Sequence, residues 1–328
     1  MCMAGGFRVE LVRILMSSEG FVSGSKIAQL LGVSRATVNR LIRELEDMGF
    51  VVESHPRLGY RIVVHNDLER VGGREIYRGF TTYRVEYMRE CSSTQDVVDA
   101  LAREGAPEGT TVVCERLSRG RGRLGRRWEA DEGGLWLTVL LRPPSIKSLQ
   151  LFSLASGVAV AKSIRGLLNI DARVKWPNDV LIGEKKVCGI LIEARAEADR
   201  VHHIMLGIGV NVNNSLPPEL QDSAIALKSV VGVEVPRAPL LKSIIREIDS
   251  AYRRITEGSL ADILGEWTLY SSTIGRRVRA LTPDEEIEGV AVGLDEDGAL
   301  LIRVGSGEVK RVVAGDIVHL REYKPAKL

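Results

Sequence analysis

The apolar residues of this chain change their spacing twice, and that change predicts three folded units in series. Up to about residue 50 they recur at helical intervals. From Tyr83 to about Tyr270 helical and strand-like runs are mixed, and beyond Ile274 only short alternating runs remain. At 328 residues, the chain is long enough for at least one unit to bury a sizeable core.

In residues 8–64, Val9, Val12, Ile14 and Leu15 predict a first amphipathic helix. A second begins near Gly24–Ser25, carries Ile27, Leu30 and Leu31, and ends at Gly32. Ser34 suits the N-cap of a third, whose apolar stripe is Val38, Leu41, Ile42, Leu45 and Met48 and which Gly49 stops. Phe50–Glu53 and Gly59–Val64 read as two strands joined at His55–Leu58, so residues 1–65 form a winged helix-turn-helix. The third helix presents Arg35, Asn39, Arg40 and Arg43 on one polar face, with Ser34 and Thr37 at its start. Arginine and asparagine there reach guanine and adenine edges in the major groove. A merely solvated face is the rival reading, but no acid sits on it, while Glu44, Glu46 and Asp47 cluster at the far end. The unit carries eight Lys or Arg against six Asp or Glu, so tight binding calls for two copies, a homodimer on a two-fold operator.

Residues 66–82 are polar and glycine-containing and read as a linker. In residues 83–270, Val112–Glu115, Leu135–Leu141, Val187–Glu193 and Ile204–Val210 predict strands, and Gln150–Leu168 and Leu240–Thr256 predict helices. Neither a βαβ rhythm nor a repeat appears, so an α+β fold around a mixed sheet is expected. In residues 271–328, Val278–Leu281, Ile287–Leu294, Leu300–Val304 and Val309–Val313 alternate with tight turns, as in a small β-barrel that caps its neighbour. The net charge of +2 leaves any nucleic-acid affinity to a local patch. The apolar runs Leu135–Leu141 and Ile204–Val210 are too short to span a bilayer, and Met1–Phe7 shows no secretory pattern. Cys2, Cys91, Cys114 and Cys188 have neither zinc nor disulfide spacing, which suits a reduced, cytoplasmic protein. His202 and His203 lack a carboxylate or cysteine nearby in sequence and are expected to be surface or core residues.

Arg119–Trp128 is the most unusual segment. Its glycines allow close backbone approach and its five arginines supply forked donors for phosphate or carboxylate oxygens. Five arginines in ten residues demand anions between them. A disordered Arg-Gly nucleic-acid segment and a solvated surface loop are the rivals, the first weakened because the run is short and flanked by a strand and a Trp-led segment entering another. Val174–Val180 adds Lys175, a Trp-Pro turn, Asn178 and Asp179. Lys185-Lys186 leads into a strand where Gly189 permits close approach. Gly207-Ile208-Gly209-Val210-Asn211 has neither dinucleotide nor Walker spacing.

With these motifs the chain resembles the biotin–protein ligases, and in domain order those that also repress the biotin operon. The resemblance rests on Ser93-Thr94, the Gly120–Trp128 loop, Lys175–Asp179, Lys186-x-x-Gly189-Ile190, Gly207-x-Gly209-x-Asn211 and Gly315-Asp316-Ile317. It implies an SH3-like C-terminal barrel, and adenylation of biotin by ATP with magnesium. The biotinyl group then passes to a lysine of a carboxyl carrier protein. By resemblance, Lys186, Arg123 and Asp179 are the catalytic residues, with no protein metal ligand assigned. Asp179 meets either the incoming lysine or the metal. Ser93, Thr94, Gln95, Leu117, Arg121, Gly122, Arg123, Lys186 and Gly189 surround the acid. Arg121, Arg123, Arg126, Trp128, Lys175, Asn178 and Asn211 surround the nucleotide, with Trp128 stacked on adenine. The resemblance also implies a loop ordered only on ligand binding.

Two departures stand out. The usual ureido-binding glutamine before the loop is Leu117, and the usual Ser-Thr-Asn is Ser93-Thr94-Gln95. A ureido group missing one buried partner loses about 1–3 kcal/mol, which brings in lipoate as a rival acid. The same residues also fit a catalytically silent, ligand-sensing repressor, or a ligase with a vestigial helix-turn-helix.

Overall fold

The computed structural model describes residues 3–18, 20–143, 149–197 and 200–320. Cys2 and residues 321–328, which were expected within the first and last units, lie outside the described residues. The first unit is α1 (Met3–Met16), α2 (Gly24–Leu31), α3 (Arg35–Asp47) and the hairpin β1 (Val52–His55) and β2 (Gly59–Ile62). Ser34 caps α3 by accepting from Thr37 N at 3.1 Å, and Gly32 closes α2 at φ 63°. The helical spacing sends Val38, Leu41, Ile42 and Leu45 inward. β1 starts two residues later than expected. Phe50 stays buried in the helical core, its N–H donating to Leu45 O at 3.0 Å. At Gly59, φ is 103° and a Cβ would meet Val22 O at 2.1 Å, so only glycine lets the wing close on the segment before α2.

Residues 66–82 are not a linker. They form α4 (Asp67–Val71) and β3 (Glu75–Arg78), and β4 (Thr82–Cys91) follows at once. Polarity hid this because the segment is held by a carboxylate as well as by apolar packing. Fully buried Asp67 accepts from the N–H groups of Arg237 and Ala238, capping a distant helix, beside fully buried Leu68.

The central unit continues with α5 (Thr94–Arg103), β5 (Thr110–Leu117), β6 (Leu135–Leu141), α6 (Leu149–Leu168), β7 (Ala172–Lys175), β8 (Asp179–Ile182), β9 (Lys185–Glu197), β10 (Arg200–Val210), α7 (Leu227–Val231), α8 (Arg237–Thr256) and α9 (Leu260–Tyr270). Its sheet runs β3-β4-β5-β6-β10-β9-β8-β7, antiparallel except for β4 beside β5. That is the mixed α+β sheet the sequence predicts. β6 is buried along its whole length because both faces are covered. On one face Val112, Leu140 and Met205 meet Val98 and Ala102 of α5; their strand neighbours join the larger core with α6 and α8. α6 is long and apolar enough to cross a membrane, but 78% of its most apolar window is buried inside the fold. Trp176-Pro177 is a cis peptide.

The last unit is an antiparallel five-stranded sheet of β11 (Arg277–Leu281), β12 (Glu286–Leu294), β13 (Leu300–Arg303), β14 (Val309–Val312) and β15 (Asp316–His319), in the order β14-β13-β12-β11-β15. It docks on the central unit through Trp176 Nε1, which donates to Gly298 O at 3.0 Å, and through Arg276 and Glu184 at 2.8 Å.

Candidate active site

β9 and β10 pair with Gly189 opposite Gly209, leaving a trough without side chains in the sheet. Trp128 lies in it. A Cβ on Gly209 would come 2.8 Å from its Nε1, and one on Gly189 would come 2.9 Å from its Cζ3. Lys186 Nζ sits 5.2 Å from the ring centroid, a cation–π contact, and Trp136 meets the ring edge-on at 6.2 Å. Trp128 Nε1 is buried and, among the described residues, has no acceptor. At the start of α5, Ser93 Oγ accepts from Gln95 N at 3.3 Å and the Thr94 and Thr138 hydroxyls share a 2.7 Å hydrogen bond.

The Arg-Gly segment folds as a short hairpin. Trp128 N donates to Gly120 O at 3.0 Å and Gly122 N to Arg126 O at 2.8 Å. The turn holds Leu124 at φ 55° and Gly125 at φ 71°. The anions between the arginines are protein carboxylates. Arg121 forks onto Asp96 at 2.7 and 3.0 Å and reaches Glu193 at 3.4 Å, while Arg126 pairs with Asp316 of β15. Arg123 donates to Asn178 Oδ1 at 3.4 Å and Gly315 O at 3.3 Å.

Lys186 Nζ lies 2.6 Å from Asp179 Oδ1, though not at a hydrogen-bonding angle. Burial pulls the Lys175 ammonium below its usual range, with Asp179 opposing and Lys186 adding to the shift; burial likewise lowers Arg123. Asn178 Nδ2 donates to Ile190 O at 2.7 Å, and Asn211 Oδ1 accepts from Asn214 at 3.1 Å. All the residues that the resemblance assigns to acid, nucleotide or catalysis line one cavity of about 440 Å³. Among the described residues, no three His, Cys, Asp or Glu side chains gather as metal donors.

Sequence reasoning missed the counter-charges Asp96, Glu193 and Asp316, which approach the hairpin from three separate elements. It also missed Asp99, which fastens α5 to β9 and β10: it accepts from Arg195 at 2.9–3.0 Å and meets buried His203 at 3.0 Å. His203 is thus a core residue with a carboxylate partner.

On α3, Arg35, Asn39, Arg40 and Arg43, which the sequence assigns to DNA, are exposed. Tyr60 of the wing donates to Asn39 Oδ1 at 2.8 Å, fixing the asparagine. Ser34 and Thr37 share a 2.9 Å hydrogen bond within the cap.

Three family models match these units in order: an HTH domain at residues 8–61, the Biotin/lipoate A/B protein ligase family at 87–211, and the Biotin protein ligase C terminal domain at 273–320. The bifunctional ligase/repressor BirA of Bacillus subtilis is 37% identical over 96% of this chain and 99% of that protein. The chain belongs to the biotin protein ligase family. The bifunctional ligase/repressor BirA of Escherichia coli is 29% identical over 94% of this chain and 96% of its own length. A biotin protein ligase from Aquifex aeolicus, solved in complex with biotin and ATP, superposes with a TM-score of 0.64 at 32% identity, covering 72% of this chain and 98% of that one.

Proposed function

We propose that this chain is an ATP-dependent biotin–[carrier protein] ligase that also represses transcription through its winged helix-turn-helix. One observation carries the ligase reading. A glycine-floored trough opens beside Lys175, Lys186 and Arg123, under a hairpin whose arginines hold exchangeable carboxylates. Attack of biotin's carboxylate on the α-phosphate of ATP brings two anions together, and fixed cations offset that repulsion. Lys186 and Arg123 would stabilise the carboxylate–phosphate junction, and Arg121 and Arg126 would exchange Asp96 and Asp316 for ligand oxygens. Pyrophosphate leaves and biotinyl-AMP forms. A carrier lysine, its ammonium giving up a proton to Asp179, would then attack the acyl carbon as the neutral amine; the amide forms and AMP leaves. Magnesium would be carried by the nucleotide's own phosphate oxygens.

The test is incubation with ATP, magnesium, biotin and a lysine-bearing carrier domain, followed by intact mass. A single biotinyl adduct is expected, and its absence overturns the reading. The apolar wall at Leu117 favours one rival acid, lipoate, so the same assay is run with lipoate. For repression, a homodimer should bind a two-fold biotin-operon operator in a gel shift. Replacing Arg35, Arg40 and Arg43 together by alanine should abolish the shift and leave carrier biotinylation unchanged.

A further inference from the structure

We propose that Asn214 is a positioning residue: it turns the side-chain amide of Asn211 so that the NH2 group, not the carbonyl, faces the cavity. The site is thereby set to read a hydrogen-bond acceptor on the base of its nucleotide. The inference rests on the ligase reading, in which ATP lies beside Asn211.

The backbone of residues 211–213 is held on four sides. Asn211 N donates to Val187 O and Asn213 N to Gly133 O, both at 2.8 Å. Leu227 N and Lys228 N donate to the carbonyls of Asn211 and Val212 at 3.0 and 2.8 Å. The Asn213 amide exchanges two hydrogen bonds with the Val235 backbone, at 2.8 and 2.9 Å. Asn211 itself is 3% exposed. The freedom left to it is rotation of its amide, a torsion with two broad wells that bring either the oxygen or the nitrogen forward.

Asn214, 5% exposed, removes that choice. Val212 N can only donate, and it meets Asn214 Oδ1 at 3.1 Å. The other end of the Asn214 amide is therefore its NH2, which donates to Asn211 Oδ1 at 3.1 Å and more weakly to Ser215 O at 3.4 Å. That engages Asn211 Oδ1 and leaves Nδ2 forward. Among the described residues Nδ2 has no acceptor, and it is not sealed from the cavity that Asn211 lines. One backbone N–H thus sets two side-chain amides in series before any ligand arrives, which removes the cost of ordering the donor on binding. A ring nitrogen of adenine accepts from such a donor, whereas the exocyclic amine is itself a donor and does not.

The experiment titrates ATP, and tripolyphosphate as a probe without a base, into wild type, Asn214→Asp, Asn211→Ala and the double variant by calorimetry. Asn214→Asp keeps an acceptor for Val212 N but replaces the donor by a carboxylate oxygen. The Asn211 NH2 should then turn toward it and bring the carbonyl forward. ATP binding should weaken about tenfold to a hundredfold, while tripolyphosphate binding stays within about twofold and the melting temperature holds. Once Asn211→Ala has removed the amide, adding Asn214→Asp should change ATP affinity by less than about twofold. Unchanged ATP affinity overturns the proposal. So do additive losses or an equal loss for tripolyphosphate, the marks of a residue that only braces the loop. Should Asn214→Asp fail to melt cooperatively, Asn214→Leu, which frees the amide to rotate, is judged by the same cycle. Wild type that binds ATP in this pattern but releases no pyrophosphate with biotin overturns the ligase reading alone, and wild type that binds no ATP overturns both.

Discussion

At the residue scale, the charge of the cavity is set by Lys186, Lys175, Arg123 and the carboxylate of Asp179 facing them. Asp179 lies 2.6 Å from Lys186 without a hydrogen bond between them, so the ammonium can exchange this carboxylate for a phosphate. Lys186→Gln should therefore lower the rate of pyrophosphate release by about 10²–10³-fold, read in single turnover, with little change in melting temperature. His319 carries a second consequence. Burial, Lys175 and Arg276 pull its pKa down to about 4, against a weaker opposing pull from Glu184. The unfolded chain takes up this proton near pH 6.5 and the native one only near 4, so stability falls as pH drops through that window. Between pH 7 and 4.5 wild type should lose about 1–3 kcal/mol more than His319→Gln in urea unfolding. Equal losses would mean the histidine is free of its surroundings.

At the scale of elements, β9 and β10 make the trough only because two glycines face each other across the ladder. Gly209→Ala puts a methyl group 2.8 Å from Trp128 Nε1 and forces the indole out. KM for ATP, whose adenine the indole is expected to stack on, should rise more than about tenfold while the fold survives, because Trp128 is only half-buried. Gly189 as a point of close approach and the arginine-glycine run as an anion-binding loop were legible in the sequence, since each is a local run with a local reason; that Gly209 faces Gly189 and that the run closes as a hairpin were not. So was β6, whose expected bounds Leu135–Leu141 match, because a strand covered on both faces reads as unbroken apolar sequence. Asp96, Glu193 and Asp316 were not legible as the hairpin's partners. They are single carboxylates far apart in sequence, and they converge only after α5, β9 and β15 have taken their places.

At the scale of the whole molecule, the boundary between the DNA-binding and catalytic units falls where α4 packs on α8, and residues 66–82 belong to the catalytic side. Arg237 at the start of α8 pairs with Glu115 at 2.6 Å, donates to Gly134 O at 3.0 Å, and lies 3.5 Å from Asp67. Glu115 and Gly134 flank the segment that carries the arginine hairpin, so the cap on α8 and the frame of the active site share one buried guanidinium. Across the seam, Lys242 reaches Asp47 O at 2.8 Å, an exposed contact worth little by itself. Two truncations separate the possibilities. Removing residues 1–65 deletes the helix-turn-helix and leaves Asp67 and Leu68 in place, so DNA binding should vanish while carrier biotinylation persists. Removing residues 1–82 strips the cap from α8, leaves Arg237 without one carboxylate and takes away the edge strand β3. That loss should cost about 3–5 kcal/mol in urea unfolding, with biotinylation falling alongside it. If the shorter remnant were as stable and active as the longer one, residues 66–82 would be a linker after all. Asp67→Asn in the full chain checks the same cap without a deletion: it keeps an acceptor for the α8 amides but removes the charge facing Arg237, so it should destabilise by less than the longer truncation.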